Sequence, residues 1–167
     1  MRALRALILI AAFIGLVAGV ISATRQYSFF DNASMVGALF GISMPIFWFG
    51  LLLMLVFSVF LKWFPAGGKG TIWHLILPAI ALGAASAAVI ARMTRASMLE
   101  VIRMDFIRTA RANGLREAVV VYKHALKNAM IPVITVFGLE FGYMLGGAGL
   151  TETVFSLPGV GRLMVEG

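Results

Sequence analysis

Residues 36–61 are VGALFGISMPIFWFGLLLMLVFSVFL, a run of apolar side chains with no charge. A helix of about 20 such residues is long enough to cross the roughly 30 Å of hydrocarbon in a bilayer. This stretch therefore predicts a membrane span rather than the core helix of a soluble domain.

The rest of the chain follows the same pattern. Residues 6–23, 75–91 and 129–150 are also apolar, and Glu140 is the one charged residue inside any of the four stretches. The chain of 167 residues is 61% hydrophobic and 13% charged, whereas soluble proteins carry about 25% charged residues. That balance excludes a disordered chain and disfavours a soluble domain. We predict an all-α integral membrane protein, a helical bundle with four spans.

The distribution of Lys and Arg predicts the topology. Residues 92–128 are rich in both, and cytoplasmic loops collect these residues. Counting spans backwards then places residues 62–74 outside, 24–35 inside, and the basic residues 1–5 outside, against the same rule. Two explanations stay open: an upstream span that this chain lacks, or a cleaved signal peptide. The signal peptide would move the basic segment 92–128 outside, which the charge rule disfavours.

The basic segment has its own helical pattern. Apolar residues recur in it at helical spacing, as Met98, Leu99, Ile102, Phe106 and Ala110. Ser97 and Glu100 fit a capping box, with continuation of the third span as the alternative, and Asn113-Gly114 breaks the pattern as a turn would. We predict helix, glycine turn, helix. The alternatives are a hairpin held to membrane lipid, a solvated loop, or a docking site for a soluble partner. Topology explains the charge, so no nucleic acid is expected as a partner.

Glu140 lies near the middle of its span, where a carboxylate is costly unless it faces a cavity or a partner. It is either a group lining a pathway, meeting a cationic part of a substrate, or a protonated or hydrogen-bonded packing residue between subunits. Tyr143 is the donor that its own helix offers within one turn.

Glycines and a proline predict how the spans pack. The pairs Gly15/Gly19, Gly37/Gly41, Gly138/Gly142 and Gly142/Gly146 have the spacing that lets helix backbones approach closely. Pro45 removes one backbone hydrogen bond and is expected to kink the second span.

Two blocks of sequence carry a family resemblance. Residues 105–115 are DFIRTARANGL, and residues 124–142 are HALKNAMIPVITVFGLEFG. Together they resemble the cytoplasmic signature loop of binding-protein-dependent ABC importer permeases, in the dipeptide, oligopeptide and nickel branch. The blocks ISMPIFWFGLLLML, LILPAIALG, ARMTRASMLEV and TETVFSLPGVGRL resemble other parts of the same branch, in the same order.

The resemblance implies a type I importer permease in the bacterial cytoplasmic (inner) membrane. Two such subunits would line the pathway, ABC ATPase subunits would dock beneath them, and an extracytoplasmic substrate-binding protein would deliver a peptide or similar small solute. Transport would follow alternating access. The permease itself would be no enzyme and need no cofactor or metal, since a separate chain hydrolyses ATP.

The resemblance also assigns residues. In the family, segment 92–128 holds a coupling loop whose turn is here Ala110, Arg111, Ala112, Asn113, Gly114 and Leu115. The outer gate segment is 151–167, and its matching residues are Glu152, Thr153, Phe155, Pro158, Gly159 and Gly161. Glu140, the pathway candidate, stands where the branch commonly has Gln. The family's first and last spans are not matched within this chain, so the alternative is a truncated, non-transporting remnant or a small membrane scaffold.

Overall fold

The computed structural model describes residues 2–68 and 71–155, and within them every regular element is helical. This confirms the prediction of an all-α fold. The elements are α1 Arg2–Thr24, α2 Phe29–Ser43, α3 Ile46–Leu53 with a π-helical continuation Met54–Phe60, α4 Trp73–Ile102, α5 Asp105–Ala112, α6 Glu117–Val119 with a π-helical continuation Val120–Ala125, and α7 Leu126–Val154.

Helices α1 and α4 pack with their backbones in close contact. A Cβ atom added to Gly15 would lie 2.4 Å from the carbonyl oxygen of Ala87, and one added to Gly19 would lie 2.6 Å from that of Ala91. Real Cβ atoms do not approach so closely, and the absence of a side chain at both positions is what brings the helices together. The packing role predicted for this glycine pair is confirmed.

The other glycine pairs behave differently. A Cβ on Gly41 would lie 3.0 Å from the Ala88 Cβ, so this residue also packs closely against α4. Nothing lies within 4 Å of a Cβ placed on Gly37, Gly138 or Gly142. At these three positions the glycine spacing therefore predicted a close contact that is absent among the described residues.

The second apolar stretch is not one helix. Helices α2 and α3 are bent by 105° at the break between Ser43 and Ile46. Pro45 stands in the break, so the kink predicted there is confirmed, and it is much sharper than a simple bend. Most of residues 36–61 thus lie in a bent pair of helices, the first of which begins at Phe29.

The lengths of the helices can be compared with the thickness of a membrane. Over the described part of the chain, Trp73–Ile102 and the helical run Glu117–Gly142 are long and apolar enough to cross, and the bent pair is a third candidate. Leu9–Thr24 is apolar but shorter.

Helix α4 runs through Ser97 and Glu100, so the capping box predicted there is wrong and the continuous helix is correct.

The basic segment folds back onto the bundle. Helix α4 ends at Ile102, and α5 begins at Asp105 with a new set of buried positions, Ile107 and Ala110. Phe106, predicted on the same apolar face as Ile102, is instead 41% exposed. The reason is the break at residues 103–104, which resets the helical periodicity. A buried cluster joins α5 to α1, α4, the π-helical continuation of α6 and the start of α7: Val20, Ala23, Met98, Val101, Ile107, Ala110, Val120, Val121, Ala125 and Ala129.

Candidate coupling elbow and pathway cavity

The predicted coupling turn is a glycine-capped helix end, and we call residues 110–115 the elbow. The Gly114 N–H donates to the carbonyl of Arg111 at 2.9 Å, and the Asn113 N–H donates to that of Thr109 at 3.0 Å. Gly114 has φ +75°, the left-handed conformation that favours glycine after a helix. The turn predicted from Asn113-Gly114 is confirmed.

The elbow residues divide into one buried and five exposed positions. Ala110 belongs to the buried cluster under α5 and fixes the elbow to the bundle. The exposed ones are Arg111, Ala112, Asn113, Gly114 and Leu115. A partner would therefore meet these five residues and not Ala110.

An ion pair closes the elbow. Arg111 donates from Nε and Nη2 to the two carboxylate oxygens of Glu117, at 3.1 and 2.7 Å. This bidentate geometry is the stronger form of such a pair, and the Glu117 carboxylate raises the pKa of Arg111 above its usual value. Glu117 was missed at the sequence level because a separation of six residues matches no helical pairing rule. The fold of the turn alone brings the two side chains together.

The surface around the elbow is partly apolar and basic. Met104, Phe106 and Leu115 are each exposed by about two fifths of their surface, and Arg108 and Arg116 are exposed beside them. Aromatic, Met and Arg side chains are the residue types enriched at protein interfaces. The elbow therefore carries a surface suited to a protein partner.

Glu140 lines a cavity of about 380 Å³ at the break between α2 and α3. Ser86 of α4, which is 3% exposed, donates from Oγ to Glu140 Oε2 at 2.9 Å. The remaining lining residues come from the break and from α4: Gly41, Ile42, Ser43, Met44, Pro45, Ile46, Leu82, Ala85 and Val89. Ser86 was not identified from the sequence, because one serine in an alanine-rich helix has the pattern of a small packing residue.

The gate candidate Phe155 lies in another part of the bundle. Phe155 is buried against Leu53, Leu77 and Ala81, and its carbonyl accepts a hydrogen bond from the Gly68 N–H at 3.2 Å. It thus fastens the end of α7 to the loop that follows α3, and it is not among the residues that line the Glu140 cavity. Glu152 and Thr153 lie in the last turns of α7. Pro158, Gly159 and Gly161 lie outside the described residues.

Residues 15–167 match the protein family described as binding-protein-dependent transport system inner membrane component. The chain is similar to the di/tripeptide transport system permease protein DppB of Pseudomonas aeruginosa, with 48% identity over 96% of this chain and 56% of that protein. It is 50% identical to the dipeptide transport system permease protein DppB of Alkalihalophilus pseudofirmus, over 93% of this chain and 55% of the relative.

Similarity extends to a third relative, the glutathione transport system permease protein GsiC of Pectobacterium atrosepticum. The identity is 50%, over 93% of this chain and 51% of that protein. The chain spans about half the length of the curated relatives it matches.

Proposed function

We propose, because the chain belongs to the family of binding-protein-dependent transport system inner membrane components, that it is a permease subunit of an ATP-driven importer in the bacterial cytoplasmic membrane. The observation that carries the proposal is the glycine-capped elbow, whose exposed face lies within the family match of residues 15–167. An element that receives force from a partner must be exposed at the contact and rigidly attached behind it, and the elbow meets both conditions.

The substrate class follows from the relatives' names. Two are permeases of dipeptide or di/tripeptide transport systems and one is a permease for glutathione, itself a tripeptide. Their shared chemistry is a peptide of two or three residues with a free amine and free carboxylates. We propose such short peptides as the substrate of the importer that contains this chain.

The packing behind the elbow suggests how force is transmitted. Ile107 and Ala110 of α5 pack in one buried cluster with Val20 of α1, Met98 of α4 and Val120 before α7. Closely packed interiors transmit displacement rather than absorb it. A push on the elbow by a closing ATPase would thus shift α1, α4 and α7 together, and this movement would alternate the access of the pathway.

The proposal implies a set of partners and an orientation. ABC ATPase subunits would dock on the elbow from the cytoplasm, in agreement with the Lys and Arg excess of segment 92–128. A second permease subunit would complete the pathway beside Glu140. A substrate-binding protein would approach the outer gate segment 151–167. Membrane lipid would cover the exposed apolar faces, such as Phe13 and Ile14 of α1.

Purification of the tagged chain from solubilised bacterial membranes tests the proposal. We expect an ABC ATPase and a second permease to co-purify, and proteoliposomes that contain the complex and its binding protein to take up a labelled dipeptide only when ATP is supplied. Absence of an ATPase from the complex, or uptake that does not depend on ATP, would contradict the proposal.

A further inference from the structure

We propose that the cavity at the α2–α3 break binds the ammonium group of a peptide's N-terminal residue, with Glu140 as its counter-charge. This inference rests on the proposed function, because it presumes that a short peptide passes this chain. It assigns a ligand group to Glu140, for which the sequence alone allows two roles: a group that lines a pathway, or a packing residue between subunits.

The charged group in the lining of the cavity is a carboxylate. Glu140 is the one charged residue among the eleven described residues that line it. The ion pairs formed within the described residues join other side chains, and Glu140 takes part in none of them. Its one hydrogen bond in this part of the chain comes from Ser86, which is neutral and occupies Oε2. Within the described residues no cationic side chain lines this largely apolar cavity, so its carboxylate favours a mobile cation.

The backbone at the break also favours a cation. Gly41, Ile42 and Ser43 line the cavity and are the last residues of α2. The final carbonyls of a helix have no intrahelical donor, and Pro45 cannot supply one because it lacks an N–H. The end of a helix also carries partial negative charge. Broken helices in other transporters use such ends to hold cations, so the break reinforces the preference set by Glu140.

The space beside the cavity favours an ammonium group over a bare metal cation. A second pocket of about 270 Å³ adjoins the cavity and shares Gly41, Met44, Ile46 and Ala85 with it. Its other lining residues are apolar or glycine: Gly37, Phe40, Phe49, Ala81 and Ala84. An N-terminal residue with an apolar side chain presents an ammonium and an apolar group on neighbouring atoms. The paired pockets match that combination, whereas a metal cation would leave the apolar pocket unused.

Calorimetric titration of the purified full chain in detergent tests the proposal. The probes are leucyl-glycine, N-acetyl-leucyl-glycine and sodium chloride. We expect the wild-type chain to bind the free-amine peptide about tenfold more tightly than the acetylated one, the effect of one charge-assisted hydrogen bond. Glu140→Gln should bind both equally weakly. Glu100→Gln makes the same chemical change at an exposed position of α4 and should keep the preference.

A second variant covers the case in which Glu140→Gln does not fold. Ala85 lines both pockets, so Ala85→Leu should fill the space and abolish binding of the free-amine peptide while Glu140 is retained. Ser86 is a positioning residue: Ser86→Ala should reduce the amine preference, and Ser86→Thr, which keeps the hydroxyl, should restore it.

Three results would overturn the proposal: equal affinity of the wild type for both peptides, an undiminished preference in Glu140→Gln, or heat of binding with sodium chloride alone. Uptake assays separate this failure from failure of the proposed function. ATP-dependent peptide uptake by a complex whose permease shows no amine preference would remove the ammonium site alone. A complex that takes up no peptide would remove the function as well.

Discussion

Arg95 of α4 donates two hydrogen bonds to Asp31 near the start of α2, from Nε to Oδ1 at 2.7 Å and from Nη2 to Oδ2 at 2.8 Å. Asp31 is buried, and it also accepts from the Ser22 hydroxyl of α1 and from the Tyr27 N–H. One carboxylate thus joins α1, the loop after it, α2 and α4. It fixes the position of α2 ahead of the break at Pro45.

Removal of the charge at Asp31 should therefore loosen the bundle. We expect Asp31→Asn to lower the free energy of unfolding by about 3 kcal/mol, because Arg95 keeps its charge in a partly buried position without a counter-charge. Denaturant unfolding of the purified chain in detergent, followed by circular dichroism, measures the change. Asp105→Asn removes an acid from an exposed ion pair with Arg108 and should change stability little. Equal effects of the two variants would contradict the role of Asp31.

The same substitution should have opposite effects at two glycines. Gly15→Ala must push α1 away from the Ala87 carbonyl and should cost about 1–3 kcal/mol, as overpacking does. Gly138→Ala meets nothing within 4 Å and should raise stability by up to about 1 kcal/mol through helix propensity. Thermal unfolding of both variants in the same detergent checks the signs. A stabilising Gly15→Ala would contradict the close α1–α4 contact.

Pro45→Ala should straighten the bent pair. The variant restores a backbone N–H and removes the ring that prevents α2 from continuing, an effect of about 3 kcal/mol in a helix interior. Spin labels at Val36 and Phe60, which are both exposed, would lie about 36 Å apart in one straight helix and closer together in the bent pair. Pulsed electron paramagnetic resonance should show that the distance between the two labels increases in Pro45→Ala. Peptide binding should be lost in the same variant.

The control for that measurement is Pro132→Ala. Pro132 lies inside α7, which continues through it, so this substitution should leave the Val36–Phe60 distance unchanged. A distance that stays the same in Pro45→Ala would show that the break does not depend on the proline.

Gly114 tests the elbow through its backbone conformation. A β-branched residue at positive φ is strongly disfavoured, whereas Asn tolerates it. We expect Gly114→Val to lower peptide uptake about tenfold or more while the ATPase of the complex still hydrolyses ATP, and Gly114→Asn to keep most of the uptake. Uptake and hydrolysis are measured in the same proteoliposomes. Wild-type uptake in Gly114→Val, at equal abundance in the membrane, would remove the elbow from the mechanism.

The features that could be predicted from the sequence are local ones. Four apolar stretches predicted helices, Asn113-Gly114 predicted the turn, and Pro45 predicted a kink. Each depends on a rule that acts within a few residues along the chain. The close packing at Gly15 was also predictable, because the glycine spacing defines one face of a helix.

The features that were missed depend on the tertiary fold. Asp31 and Arg95 are 64 residues apart, and Ser86 and Glu140 are 54 apart. No spacing rule joins residues that are so far apart along the chain. Phe106 was placed on the buried face because the break after Ile102 carries no strong sequence signal. The prediction that Phe106 is buried was therefore wrong, although α5 itself lies within the segment predicted to be helical.

We expect the elbow to face the cytoplasm and to be covered by the ATPase. The chain contains no cysteine, so Asn113→Cys gives a single thiol at an exposed position. A membrane-impermeant maleimide is applied to right-side-out and to inverted membrane vesicles, with and without bound ATPase. We predict labelling only in inverted vesicles, and its loss when the ATPase is bound. Labelling in right-side-out vesicles would contradict the account.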